Sequence, residues 1–430
     1  MKKQLLTDTA IVGGFMALGA VLQPGPAVAE PVLGGFVEGA QAVRIEENTA
    51  LGDGGIGDRT YPRSEFRLQA TARDDSDLGS FFVRVDVVSD ATSMRQTVVD
   101  FREAYVKLYL AKWLDVKFGR QVATWGTGDL VFANDLFAKD WEAFFTGLDD
   151  SYLKPPQDLL RMSFYLGGMT AELAASPYFT PDALPDGTRL SVYDPFAGEA
   201  VSVRRSPIIL PPPRDATHGE LFARVSGYQG SFEWALYGYR GFWPTPQGVA
   251  MIGEKPVLAY PRMWSSGASL RGPVGSFLAH AEGAWYVSQD DADGDDPLVA
   301  NSQVRGFAGL EKSLGSDWTV GGQYYAEQIL DYSGYEAGFE GMDPLFDELR
   351  STVTLRVTKF LMNQNLMLSG FGYYGVSDED WHLRLSSRYK VSDAVAATIG
   401  ANLIDGEQPY TMFGQFRDNS NVYLRLRYSF

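Results

Sequence analysis

The chain of 430 residues contains no cysteine. That removes disulfides, thiolate metal sites, lipidation at a cysteine and covalent haem attachment together. Histidine is nearly absent too: His218, His280 and His382 lie far apart. No G-x-S-x-G, H-E-x-x-H, P-loop or dinucleotide fingerprint occurs. His382 and Ser386 would share one face of a strand, but four residues of strand span about 13 Å, beyond hydrogen-bond reach. We therefore expect no enzyme, no cofactor and no resident metal. Cations are outnumbered, with 37 Lys and Arg against 54 Asp and Glu and a formal charge of −17. Such a balance argues against a nucleic-acid partner. Beyond the N-terminus, no run approaches the roughly 18 apolar residues of a membrane helix.

The N-terminus has the three parts of a secretory leader. Lys2 and Lys3 supply the positive charge, the stretch from Ala10 to Leu22 is apolar, and Ala27-Val28-Ala29 follows Pro24 and Pro26 as a small-residue cleavage site. Residues 1–29 are read as a signal peptide and 30–430 as the mature chain. Loss of Lys2, Lys3 and Asp8 moves the formal charge from −17 to −18.

What remains is rich in aromatics (22 Tyr, 26 Phe, 9 Trp) and in glycine, at 46. It alternates. In the last ten residues Val422, Leu424, Leu426, Tyr428 and Phe430 interleave with Asn421, Tyr423, Arg425, Arg427 and Ser429. Successive side chains of a strand point to opposite faces, so this strand is apolar on one side and polar and cationic on the other. Eighteen segments alternate in this way: 34–46, 63–74, 79–90, 98–111, 113–121, 158–167, 169–176, 217–228, 231–241, 262–272, 275–288, 302–313, 317–330, 347–361, 364–376, 380–391, 394–404 and 420–430. Their connections alternate in length. Gly168, 229–230, 272–274 and 392–393 are turns, whereas 122–157, 177–216, 242–261 and 289–301 are long. A secreted all-β chain with about 18 strands (16–18), an even count and loops that are long and short by turns fits a transmembrane antiparallel up-and-down β-barrel. Its hydropathy is hidden because every second residue faces inward.

The charged face must be that inward face, since a charge on the lipid side at mid-bilayer costs about 2–4 kcal/mol. It carries a basic wall of Arg67, Arg73, Arg84, Arg350, Arg356, Arg384, Arg388, Arg425 and Arg427. Inward carboxylates such as Glu65, Asp86 and Glu103 are available to pair with them. Trp113, Trp318, Trp381 and Tyr428, near strand ends, suit interfacial girdles. The long connection 122–157 is too apolar for an exposed loop. It holds Trp125, Phe132, Phe137, Trp141, Phe144 and Phe145 together with Asp129, Asp135 and Asp140. We expect it to fold inward as a constriction. The Pro-rich stretch 177–216 cannot be a central strand and reads as an outer cap. The acidic run 290–296 fails the calcium-loop pattern, with Gln289 at the first ligand position and no closing Glu. It reads as a solvated tip, able to bridge lipopolysaccharide through divalent ions.

The terminal strand, with Phe430 as its last residue, resembles the closing strand of Gram-negative outer-membrane β-barrel proteins. That resemblance implies recognition by the barrel-assembly machinery. The stretch Arg102-Glu103-Ala104-Tyr105, then Phe118-Gly119-Arg120-Gln121, then Trp125-Gly126 is similar to a signature of porin-like outer-membrane proteins, including relatives of carbohydrate-export barrels. In rank and length 122–157 resembles the third outer loop of general porins, which narrows the pore. These resemblances imply short periplasmic turns, long outer loops, a setting in outer-membrane lipid and lipopolysaccharide, and passive diffusion of small polar or charged solutes. A homotrimer is compatible with them. Two other readings stay open: a sheath around a periplasmic multihaem cytochrome, and an export pore for an acidic polysaccharide.

Overall fold

The computed structural model describes residues 31–53, 61–92, 97–338 and 346–430. The leader reading for 1–29 lies outside them. Eighteen strands form one sheet that closes on itself. They are β1 Val32–Arg44, β2 Arg63–Ser76, β3 Gly79–Asp90, β4 Thr97–Ala111, β5 Leu114–Gln121, β6 Gln157–Leu166, β7 Met169–Ser176, β8 Glu220–Gln229, β9 Phe232–Phe242, β10 Arg262–Val274, β11 Phe277–Ser288, β12 Gln303–Leu314, β13 Trp318–Ile329, β14 Leu349–Leu361, β15 Leu366–Gly375, β16 Asp380–Lys390, β17 Val395–Gly406 and β18 Asn421–Ser429. Each lies within about three residues of a segment expected from alternation. Every strand pairs antiparallel with its sequence neighbours, and β18 closes on β1 with Phe36 opposite Ser429. Phe430 extends that seam through its N–H to Gly35 O, 3.0 Å.

The alternation sets the two faces. Outward positions such as Phe66, Leu68, Leu355, Leu385, Ile399 and Leu424 are exposed, while inward Glu65, Arg67, Gln69, Asp86 and Glu103 are buried. An apolar exterior over a polar interior suits lipid outside and hydrogen-bonding groups within. Trp113, Trp318 and Tyr428 are exposed near the short-turn rim. The Gly167-Gly168 turn shows why two residues suffice there. Both have positive φ, 57° and 100°, which glycine adopts freely and which matches the twist of the flanking strands.

One irregularity matters for the interior. The register of β3 and β4 slips between Arg84 and Val85, opposite Glu103 and Phe101. The extra residue is Arg102. A bulge lets consecutive side chains aim the same way, and Arg102 and Glu103 are both buried.

At the long-loop end, 177–219 lies across the barrel mouth with two short hairpin arms, Val192–Asp194 and Glu199–Val201. Ile209–Leu210 adds to a small sheet made by Gly248–Ile252 and Lys255–Ala259 of the next long loop. None of the described helices is long and apolar enough to cross a membrane.

Candidate functional site

Between β5 and β6 the chain leaves the wall and runs through the interior. Residues 133–139 and 143–147 of this segment are buried. Its first half packs on β8 and β9. Trp125, Phe137, Phe222 and Tyr237 form one aromatic group, with Phe137 and Phe222 stacked at 4.3 Å. Its second half reaches the far wall. A one-turn helix, α1 Trp141–Phe145, starts where the Asp140 carboxylate accepts the Ala143 N–H at 2.8 Å. It drives Phe144 and Phe145 into Tyr373, His382, Phe413 and Phe416. The segment passes Tyr423 at Gly147, whose φ is +72° and where a Cβ would lie 2.4 Å from the ring. Glycine alone satisfies both conditions.

Polar wall residues hold the segment's backbone. The N–H of Asp129 donates to Gln323 Oε1, and Gln323 Nε2 donates back to Asp129 O, both at 2.9 Å. Glu282 accepts from Thr127 and from the backbone and side-chain amides of Asn134. Tyr286 and Tyr373 donate their hydroxyls to Ala133 O and Leu130 O. Asn402 and Asn421 donate to Phe145 O, and Arg63 to Gly147 O. Arg102, freed by the bulge, donates to Ser151 O and Lys154 O at 2.6 and 3.0 Å. Buried carbonyls without partners would each cost on the order of 1–3 kcal/mol, so this shell fixes one path for the chain.

Ion pairs follow the same geometry. Asp129 pairs with Arg356, Asp150 with Arg384 at 2.6 Å, and Asp149 with Arg425 and Arg427 at 3.3 and 3.6 Å. Other arginines of the basic wall face carboxylates of the strands or of their turns instead. Arg67 contacts Glu65 and Asp86 at 2.8 and 2.6 Å, Arg84 contacts Glu103 at 3.0 Å, and Arg350 contacts Asp378 at 2.6 Å. Arg427 also meets Glu38 at 2.8 Å. Arg73 and Arg388 have no carboxylate partner among the described residues, and neither do the inward Lys117 and Arg271.

The acidic residues singled out in the segment divide. Asp129 faces the wall. Asp135 does not: Lys139 and Lys154 of the same segment neutralise it at 3.3 and 3.2 Å. Asp140 is occupied as the cap of α1. Trp125 is packed among aromatics, and Trp141 donates its indole N–H to Asp182 at 2.7 Å. Glu282, Gln323 and Tyr152 are not singled out by the sequence. Glu282 and Gln323 sit in mixed inward rows and Tyr152 lies in the segment itself, so no local pattern marks them.

Asp182 joins the interior segment to the cap over the mouth, accepting the Lys139 backbone N–H at 2.8 Å besides the Trp141 indole. Burial pushes its carboxyl up to about 6, against the pull of Lys139 and these donors. The folded state therefore binds the proton more tightly than an open loop would. That contribution is complete below the ordinary value near 4 and is lost as pH rises through 6, on the order of 2–3 kcal/mol across the window. Exchange of the amides around 180–184 should accelerate from pH 4 to pH 7 after correction for intrinsic rates. Asp182→Asn, neutral throughout, should flatten that dependence. A dependence unchanged in the variant would remove Asp182 from this role.

No protein-family model matches the chain, and no curated protein matches it. Solved structures do. OccAB4 of Acinetobacter baumannii is 11% identical, with 94% of this chain and 100% of that one covered at a TM-score of 0.55. OccK11 (OpdR) of Pseudomonas aeruginosa is 11% identical, covering 92% and 95%, at 0.52. OccK5 (OpdH) of the same organism is 8% identical, covering 93% and 98%, at 0.51. At these identities the likeness is one of fold, that of the outer-membrane porins. The molecule is a β-barrel of the kind found in the bacterial outer membrane.

Proposed function

We propose that this porin-fold barrel is a passive diffusion channel for small polar or charged solutes, narrowed by residues 122–157 and biased toward anions. The observation that carries the reading is the inward charge on the short-turn side of the segment. Most acids there are already paired, whereas Arg73, Lys117, Arg271 and Arg388 keep cationic heads without a carboxylate. Charges lining a narrow, low-dielectric path focus the field and concentrate counter-ions. Solute would move down its gradient, with width set by the segment and sign by the wall. The same arginines would suit an acidic polysaccharide, the second reading that this observation favours. A cytochrome sheath is less well supported, because it needs an interior free of ordered chain.

Reversal potential in planar bilayers under a KCl gradient tests the sign. The wild type should favour chloride, and Arg271→Gln with Arg388→Gln should move the potential toward that of an unselective pore. A wild-type preference for potassium would overturn the anion bias while leaving a diffusive channel intact. Slower passage of small sugars alongside unimpeded acidic oligosaccharides would favour the export reading.

A further inference from the structure

The lipid-facing surface is not uniform. On most strands its positions hold large apolar side chains, as at Leu355, Leu385 and Leu424. On β11 to β13 they shrink to Ala281, Ala308 and Gly322, and the taller Leu270, Leu310 and Tyr324 stand around them. The result is a groove of about 750 Å³ with an almost wholly apolar lining. Inward neighbours such as Gln323 and Thr354 also border it, as expected where only small side chains cover the strand backbone. The groove lies in the half of the barrel nearest the short turns, reaching Val274 beside the 275–276 turn.

Two lysines stand at that rim on the same outward face. Lys312 of β12 lies over the Phe277 ring at 4.7 Å, and Phe277 pairs directly with the groove residue Val274. Lys359 of β14 lies over the Trp318 ring at 4.4 Å. Neither has a carboxylate partner among the described residues. With one strand between theirs, the two positions are roughly 10 Å apart, so two flexible side chains can converge on one anion. A lysine on the lipid side extends its stem along apolar surface and places its ammonium at the headgroup level.

Groove and cations together define an amphiphile with an anionic head at the short-turn rim and a chain pointing toward the bilayer centre. We infer that this groove is a binding site for one glycerophospholipid, an acyl chain lying on Ala281, Ala308 and Gly322 with the phosphate between Lys312 and Lys359. Short turns face the periplasm in these barrels. The phosphate level there belongs to the inner leaflet, which selects a glycerophospholipid over lipopolysaccharide. The inference is independent of what the lumen conducts.

Native mass spectrometry of the refolded full chain in detergent, with palmitoyl-oleoyl phosphatidylglycerol added and lipid A in a parallel arm, tests it. The wild type should retain one phosphatidylglycerol. Ala308→Phe, which fills the groove from the outside, should release it. Lys312→Gln with Lys359→Gln should weaken retention by roughly thirtyfold, the weight of two interfacial lysines. Ala401→Phe, on the outward face of β17, should retain the lipid as the wild type does. Unheated gel mobility confirms that each variant is folded. Four results would overturn the site: no lipid on the wild type, equal retention after Ala308→Phe, preference for lipid A, or barrels associating through this face in place of lipid, with Ala308→Phe restoring monomers.

Discussion

Deleting residues 126–143 is expected to raise single-channel conductance several-fold while leaving the barrel closed. No ladder of the 18-stranded sheet uses these residues. An 18-stranded wall without filling leaves an aqueous channel. The deletion removes Asp129, the Asn134 contacts to Glu282, and the Asp140 cap with the first three residues of the helix that wedges Phe144 against Tyr373 and His382. Wall groups left behind, among them Gln323, Arg356 and Glu282, would meet water in the widened lumen rather than an apolar void. Their loss of protein partners is therefore not a folding failure. Planar-bilayer recording of the refolded protein, with heat-dependent gel mobility as the check on folding, gives the answer. Unchanged conductance in a folded deletion variant would place the segment outside the conducting path and sink the constriction reading.

The largest effect on stability is expected from Asp86→Ala. Asp86 is fully buried, and three groups converge on it: Arg67 at 2.6 Å, Gln69 at 2.9 Å and the Tyr152 hydroxyl at 2.7 Å. Tyr152 belongs to the interior segment, so this carboxylate ties wall to segment. Removing one member of a buried charge pair costs about 3–5 kcal/mol, because the remaining charge stays behind without compensation. Glu65, still 2.8 Å from Arg67, should hold the loss near the lower bound. Tyr152→Phe removes only a hydroxyl and should cost about 1 kcal/mol. Urea unfolding of the protein in lipid vesicles would measure both, and the double variant would show coupling. A loss for Asp86→Ala no greater than that of Tyr152→Phe would mean that water already solvates the pair.

The strands were legible because a barrel writes its architecture in period two. A row such as Val422, Leu424, Leu426 against Tyr423, Arg425, Arg427 leaves one arrangement in lipid, and turns such as Gly167-Gly168 mark the breaks. The bulge at Arg102 was not legible, since Arg102-Glu103 interrupts alternation no more than many adjacent polar pairs do. Nor were the partners of the wall. That Arg384 meets Asp150 while Asp135 turns to Lys139 and Lys154 depends on the path of 122–157 in three dimensions, which Gly147 and the cap at Asp140 shape. An apolar segment with many acids signalled that it would leave the solvent. It did not signal which acids would face the wall.

The ties of the interior segment have a consequence for the order of events in assembly. Asp149 and the Phe145 carbonyl find their partners on Arg425 and Asn421, 276 residues further along the chain. Asp150 waits for Arg384, at a separation of 234. Whatever order the strands enter in, these ties form only once β16 and β18 stand in the same closed wall as β5 and β6. Until β18 reaches β1, Asp149 and Asp150 lack these partners. The last seam to close is thus also the signal that completes the interior. A barrel stalled before that step would carry its future constriction as an exposed, protease-sensitive loop.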